Sequence, residues 1–354
     1  MKRVLILVFL LWTTQSYSQS LSNFSIFGYA DAQTSFSKKT ISFSVSEFSP
    51  VFEYRYGEDT LFRANLLFQT LGDSSTKTDL NFLIFDFVLS DNLILEFGKF
   101  PSPIGQFQQN LRPSWINTLP TQPHGFDDDL SVGPRHGVGI QLKGNYHIHN
   151  SRFLYSLFIT NGPELQSSLG QIVISDDEIN DSQNLGKLFG MRVGVNPILD
   201  LEAHVSLAAG RIGLGTAQNR SYKLIGGDFV YRDTQTFLKG IGLRGEYLAS
   251  NIELTSSSVR EESAWYLEGS YLHTPSHLQL VSRFGQFATK VDNPQIYSSS
   301  SQISTHARIN TKYTSYGVNY IFHPSVIFKL AYEVEYHQGN TPRTTINSQI
   351  VAGF

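Results

Sequence analysis

Short segments with every second residue apolar recur from one end of this chain to the other. Phe62, Ala64, Leu66 and Phe68 alternate with Arg63, Asn65 and Gln69. Val138, Ile140 and Leu142 alternate with Gly139, Gln141 and Lys143. Leu201, Ala203, Val205 and Leu207 alternate with Glu202, His204 and Ser206, and Phe328, Leu330, Tyr332 and Val334 with Lys329, Glu333 and Glu335. A period of two means extended backbone with two unlike faces. Sixteen such segments are expected near 22–31, 41–56, 59–70, 80–89, 92–99, 135–147, 151–160, 187–196, 199–212, 220–232, 236–249, 262–272, 277–290, 308–322, 325–337 and 343–354. Their lengths suit tilted strands crossing a bilayer, which take ~9–11 residues.

Composition decides where the apolar face points. Charged residues are 16% and aromatics 13%, whereas soluble domains carry ~25% charge. Mean hydropathy is nevertheless −0.16, too polar for a helical membrane protein. After the N-terminal leader no stretch reaches the ~18 uninterrupted apolar residues of a membrane helix. A barrel that is apolar outside and polar inside satisfies all of these at once. A soluble sandwich or propeller does not, because so many exposed aromatics would aggregate in water and no propeller-length repeat occurs.

The connections give a second line of evidence. Barrels of this kind alternate tight turns at one end with longer loops at the other. The expected even-to-odd connections are tight: Gly57-Glu58, Ser90-Asp91, His147 to Asn150, Pro197-Ile198, Asp233 to Gln235, His273 to Ser276 and His323-Pro324. The odd-to-even connections read as longer: 32–40, 71–79, 100–134, 161–186, 213–219, 250–261, 291–307 and 338–342. Tyr146, Tyr231, Tyr271 and Tyr336 fall near strand ends, where interface girdles lie. The expectation is an all-β, sixteen-stranded transmembrane antiparallel barrel over 19–354.

Residues 1–18 read as a secretory signal peptide. Met1-Lys2-Arg3 is basic, Val4 to Trp12 is apolar, and Ser16-Tyr17-Ser18 offers a small-x-small site. Loss of Lys2 and Arg3 takes the net charge from −3 to −5. That balance gives no basic face for nucleic acid. Cysteine is absent, which removes thiol catalysis, thiolate metal sites, disulfides and a lipid-modified N-terminal cysteine.

The stretch 100–134 has neither a strand alternation nor a helical period. It carries Pro101, Pro103, Pro113, Pro120, Pro123 and Pro134, together with Phe107, Leu111, Trp115, Leu119 and Phe126. A long loop this rich in apolar residues needs burial, so it is expected to fold into the lumen as a constriction. Its candidate pore residues are Arg112, Trp115, Asp127, Asp128 and Asp129, with Arg135 at its exit. Trp115 either packs the loop on the wall or offers its ring to a sugar. From the wall, Arg63, Glu96 and Lys143 have the inward parity, among expected inward cations that also include Arg55, Arg192, Arg232, Arg244, Arg283 and Lys329. The inward anions are Glu53, Asp86, Glu96, Glu202, Asp228, Glu246, Glu268, Glu333 and Glu335. Such charges either set a field across the pore or brace the wall in cross-strand pairs.

Two runs carry a resemblance. Phe97-Gly98-Lys99-Phe100-Pro101-Ser102-Pro103-Ile104-Gly105 is similar to the GKF-x-x-P-x-G stretch of the phosphate-selective porin group and its dicarboxylate-type relatives. Gly133-Pro134-Arg135-His136-Gly137-Val138-Gly139-Ile140-Gln141-Leu142 resembles that family's strand after the loop. The loop is third among the external loops, the one that sixteen-stranded porins fold inward. Phe354, closing an alternating segment, resembles the C-terminal signal read by the barrel-assembly machinery. The resemblance implies a Gram-negative outer-membrane homotrimer, in contact with membrane lipid and lipopolysaccharide, through which ions or small polar solutes diffuse. Phosphate-selective members line the pore with many Arg and Lys. Here Arg112 and Arg135 are set against Asp127 to Asp129, which points to a weakly selective pore.

Chemistry of other kinds was sought. There is no G-x-S-x-G, no H-E-x-x-H, no phosphate loop and no EF-hand loop, and no cofactor is expected. His147 and His149 fall in a polar turn where a zinc pair is the lesser reading. Asp176, Asp177, Glu178 and Asp181 are a solvated acidic loop or a calcium site. His124, beside the loop acids, could serve as a base in a barrel hydrolase, but no serine or second fixed partner accompanies it. A plugged structural or adhesive barrel is the other alternative to a channel.

Overall fold

The computed structural model describes residues 23–38, 40–70, 75–127, 130–168, 171–175, 186–214, 219–233, 239–255, 258–292, 308–337 and 341–354. The leader at 1–18, Asp128, Asp129 and the acidic cluster at 176–181 lie outside them. The described residues form eighteen strands: β1 (Phe24–Ser37), β2 (Ile41–Tyr56), β3 (Thr60–Thr70), β4 (Thr76–Ser90), β5 (Leu93–Pro101), β6 (His136–Ile148), β7 (Ser151–Asn161), β8 (Glu164–Ser168), β9 (Gln171–Ser175), β10 (Lys187–Ile198), β11 (Leu201–Leu214), β12 (Asn219–Arg232), β13 (Ile241–Thr255), β14 (Ser258–His273), β15 (Leu278–Val291), β16 (Arg308–His323), β17 (Val326–His337) and β18 (Arg343–Gly353). Sixteen of them form one closed antiparallel ring. Neighbours in sequence pair throughout, β7 pairs with β10, and β1 closes on β18 with Tyr29 opposite Gly353. Closure leaves no unpaired edge, the condition for a sheet to sit in lipid. β1 and the last residue are joined at the seam, where Gly28 N donates to Phe354 O at 2.9 Å and Phe354 N to Gly28 O at 3.0 Å.

The sixteen expected strands are the sixteen of the ring. Three connections differ from expectation. The polar run after Asp31 extends β1 to Ser37, because it pairs on both sides, and the first long loop is cut to 38–40. β13 and β14 run to Thr255 and from Ser258, so no long loop separates them. Their ends escape the alternation test because the polarity inverts there. Ile252 and Leu254 are buried inside, under the long loop, while Asn251 is exposed outside. β13 is described from Ile241 on, and 234–238, where the expected turn and the start of the strand fall, lie outside the described residues. The fourth long loop holds β8 and β9, a hairpin that was not expected; β8 meets β11 in parallel at Glu164 and Leu165.

The two faces are chemically opposite. Phe189, Val205, Ile225 and Ile350 point outward and stay about half exposed, whereas their neighbours Arg192, Ser206, Asp228 and Gln349 point inward and are buried. The outward face is therefore a band for lipid, and the inward polar groups must find partners inside.

Candidate functional site

β5 is the shortest strand of the ring, nine residues against fifteen in β4. Its ladder ends at Pro101, and Pro103 follows; proline donates no hydrogen bond to a neighbour. The chain therefore leaves the wall partway up and enters the lumen at Ser102. It rejoins at β6, and the neck is closed by Ser102 N donating to Arg135 O at 2.8 Å.

Inside, the loop is fixed to one side of the barrel. Ile104, Phe107, Leu111, Leu119, Phe126 and Val132 have 1% exposure or less. Most of them pack on inward apolar residues of β12–β15, including Tyr222, Leu224, Leu248, Tyr266 and Phe287. Phe107 and Phe126 meet the Tyr266 ring edge-on, at 6.2 and 5.2 Å between centroids. One wide helical turn, Phe107–Leu111, begins over Glu246, which accepts from Phe107 N at 2.8 Å. Gly105 approaches the same carboxylate closely, with φ of +77°.

The inward arginines complete the anchorage. Arg192 donates to Gly105 O at 2.8 Å, Gln106 Oε1 at 2.8 Å and Gln109 Oε1, and pairs with Asp228 at 2.7 Å. Arg283 reaches Thr121 O at 2.8 Å and Asn117 Oδ1 at 2.9 Å. Arg244 reaches Thr118 Oγ1 at 2.9 Å, and both arginines pair with Glu268. Lys329 donates to Ser114 O and Asn117 O. These four cations are almost fully buried. They hold the loop, so they do not supply free charge to a water path.

The opposite wall, β1–β6, is left open. A cavity of about 430 Å³ runs along it, lined from the wall by Tyr29, Glu47, Glu53, Arg63, Asn65 and Asn81. From the loop side it is lined by Gln108, Gln109, Arg112, Trp115 and Gln122. Here the candidate residues divide. Arg63, Glu96 and Lys143 come together in a ladder with Asp86: Arg63 lies 2.5 Å from Asp86 and 3.8 Å from Glu96, and Lys143 pairs with both acids. Arg63 and Lys143 keep 29% and 28% of their side chains exposed, unlike the anchoring cations. Arg112 faces the cavity and donates to Asn81 Oδ1 at 3.4 Å. Trp115 is 47% exposed, between this cavity and a second one of about 300 Å³ that also touches Arg232, Arg244 and Lys329. Asp127 belongs to the packed side, 3.4 Å from His124. His124 in turn stacks edge-on against Tyr313 at 4.8 Å. Burial opposes charge on His124, but Asp127 and Glu335 outweigh it and hold its pKa up to about 10. His147 and His149 are exposed, and His149 sits in the turn at φ +55°.

Sequence reading missed the amide lining. Asn65 had the inward parity. Asn81 is inward because β4 carries a bulge there: Asn65 pairs with Phe82 and Leu66 with Leu80. Bulges re-aim side chains, and strict alternation cannot show them.

None of the protein-family models matches this chain, and no curated relative does. Solved structures do match. The anion-selective porin of Comamonas acidovorans shares 12% identity over 94% of this chain and 99% of its own, with a TM-score of 0.64. Salmonella typhi OmpF in complex with daunomycin shares 12% over 94% and 98%, at 0.61. The trimer form of Vibrio cholerae OmpT shares 13% over 94% and 99%, at 0.58. At these identities the likeness is one of fold: the chain has the sixteen-stranded barrel fold of Gram-negative outer-membrane porins.

Proposed function

We propose that this protein is an outer-membrane channel giving passive, weakly selective diffusion of ions and small polar solutes past the loop 102–135. One observation carries the reading. The loop is tied to β10–β17 by buried apolar residues and four buried cations, and the cavity left along β1–β6 is lined by amides and by charges of both signs. Glu47 and Glu53 on that wall share the cavity with Arg63 and, from the loop, Arg112, so no single sign of charge dominates its lining. This arrangement argues against a dedicated phosphate pore. The site residues of the constriction are Arg112 and Trp115 from the loop, opposite Arg63, Glu96 and Lys143. Both ring nitrogens of His124 face carboxylates, which leaves neither directed at a hydroxyl nucleophile and supports a channel over a hydrolase. The leader 1–18 would export the chain, Phe354 would address it to the assembly machinery, and three copies would associate in the membrane beside lipopolysaccharide; the solved trimer form of a similar barrel supports the last step.

The test is planar-bilayer recording. The purified barrel is expected to give discrete ohmic steps, with a reversal potential in a salt gradient close to that of a non-selective pore. Arg112→Glu is expected to move that potential toward cation preference. A barrel silent at every voltage would indicate a plugged structural role and overturn the reading.

A further inference from the structure

Where the loop touches β17, it sets an imidazole against two wall carboxylates. His124, Glu333 and Glu335 each present one donor atom, all within 4.8 Å of one another. His124 Nε2 is 3.5 Å from Glu335 Oε1, and it is a buried nitrogen with no hydrogen bond. Two ligands held ~2.0–2.1 Å from a tetrahedral zinc ion lie about 3.3–3.4 Å apart, so this pair already stands near the edge length of such a site. Each donor is oriented from behind. His124 Nδ1 faces Asp127 at 3.4 Å. Glu333 accepts from Ser315 Oγ at 2.5 Å and Thr121 Oγ1 at 3.1 Å. Glu335 is 3.1 Å from His337 Nε2. A metal-bound histidine commonly gives its other ring N–H to a carboxylate, and bound carboxylates are themselves hydrogen-bonded.

Charge points the same way. Asp127, Glu333 and Glu335 bring three carboxylates round one imidazole, with Glu333 and Glu335 buried. His337 on the rim side of Glu335 is partly exposed, and Arg343, opposite Glu335 in the sheet register, is exposed to solvent. A divalent ion would balance the Glu333 and Glu335 carboxylates that the cluster sets against one imidazole.

We propose that His124 Nε2, Glu333 and Glu335 bind one zinc-class divalent cation, with a fourth position left for water, and that the ion ties the loop to β17. Nitrogen and carboxylate oxygen together suit zinc and its neighbours better than magnesium or calcium, which take oxygen alone. The ion has to displace the imidazole proton, so binding releases a proton to the buffer.

The test uses the full chain, folded in detergent and freed of metal with a chelator. Zinc chloride is titrated in by calorimetry, and cobalt(II) is added separately to read its tetrahedral visible absorption. The expected result is one saturable site per chain, weakened by about tenfold or more in both His124→Ala and Glu335→Gln. Heat-modifiable gel migration checks that each variant keeps the barrel. The exposed turn histidines His147, His149, His273 and His277 could give weak background binding, which both variants would retain. The absence of a saturable site, or a site of unchanged affinity in both folded variants, would overturn the proposal and leave the cluster as a proton-held ion pair.

Discussion

A single methyl group at residue 105 tests how firmly the loop is seated. Gly105 has φ of +77°, and a Cβ there would stand 1.8 Å from Glu246 Oε1 and 2.8 Å from its Cδ. Gly105→Ala therefore meets two costs. The left-handed backbone costs an L-residue roughly 1–2 kcal/mol. The overlap must also be relieved, by overpacking at about 1–3 kcal/mol or by Glu246 moving off Phe107 N, which loses a charge-assisted bond of about 1.5–3 kcal/mol. The sum is about 2–5 kcal/mol against the docked loop. At 1.4 kcal/mol per tenfold, the docked-to-undocked ratio falls by roughly 30- to several-thousand-fold. The ring itself is untouched, so heat-modifiable migration should hold. Single-channel records should show new current fluctuations, and the stretch 105–126 should become sensitive to added protease. Gly57→Ala is the control: its φ is +64°, yet nothing lies within 4 Å of its Cβ. It shares the backbone cost without the clash, at a turn far from the loop in sequence. If Gly105→Ala behaves like Gly57→Ala in both assays, the loop does not rest on Glu246.

Other expectations follow from the same contacts. Arg192→Met should destabilise the folded chain by about 3–5 kcal/mol in denaturant titration, because buried Asp228 is left with His204 alone and the loop loses its bonds to the guanidinium. Trp115→Ala should raise unit conductance, since the ring projects half exposed beside the open cavity; an unchanged value would remove Trp115 from the constriction. Ile350→Arg, on the outward face of β18, should cost about 2–4 kcal/mol in lipid if it lies near the midplane, while Gln349→Leu on the inward face should not impair membrane insertion. Equal insertion defects would contradict the assigned parity.

Much of the barrel was readable because lipid and lumen impose opposite chemistry on alternate residues. All sixteen ring strands could be placed on that ground, and the third long loop followed from its prolines and unburied aromatics. What escaped did so for local reasons. The ends of β13 and β14 were invisible because Ile252 and Leu254 are covered by the loop from inside, which inverts the usual polarity. The bulge at Asn81 and the hairpin β8–β9 depend on pairing partners, not on residue type. Parity showed that Arg192, Arg244, Arg283 and Lys329 face inward. It could not show that carbonyl and hydroxyl oxygens of the loop consume them, because a facing is local and a partner lies about a hundred residues away or more. Arg63, Glu96 and Lys143 were legible one by one through their parity, whereas their pairing with each other and Asp86 became visible only with the strand register.

The central claim is that the water path runs along β1–β6 and not along the loop-packed wall. A chain without cysteine allows that to be read directly from single introduced thiols. Val51 lines the open cavity, whereas Ala264 is fully buried on the inward face of β14 among the loop-packed residues. With a charged methanethiosulfonate reagent in the bilayer chamber, Val51→Cys should show a stepwise fall in unit current and Ala264→Cys should show none. Block at Ala264→Cys with Val51→Cys unaffected would place the path on the other side of the loop and contradict the account.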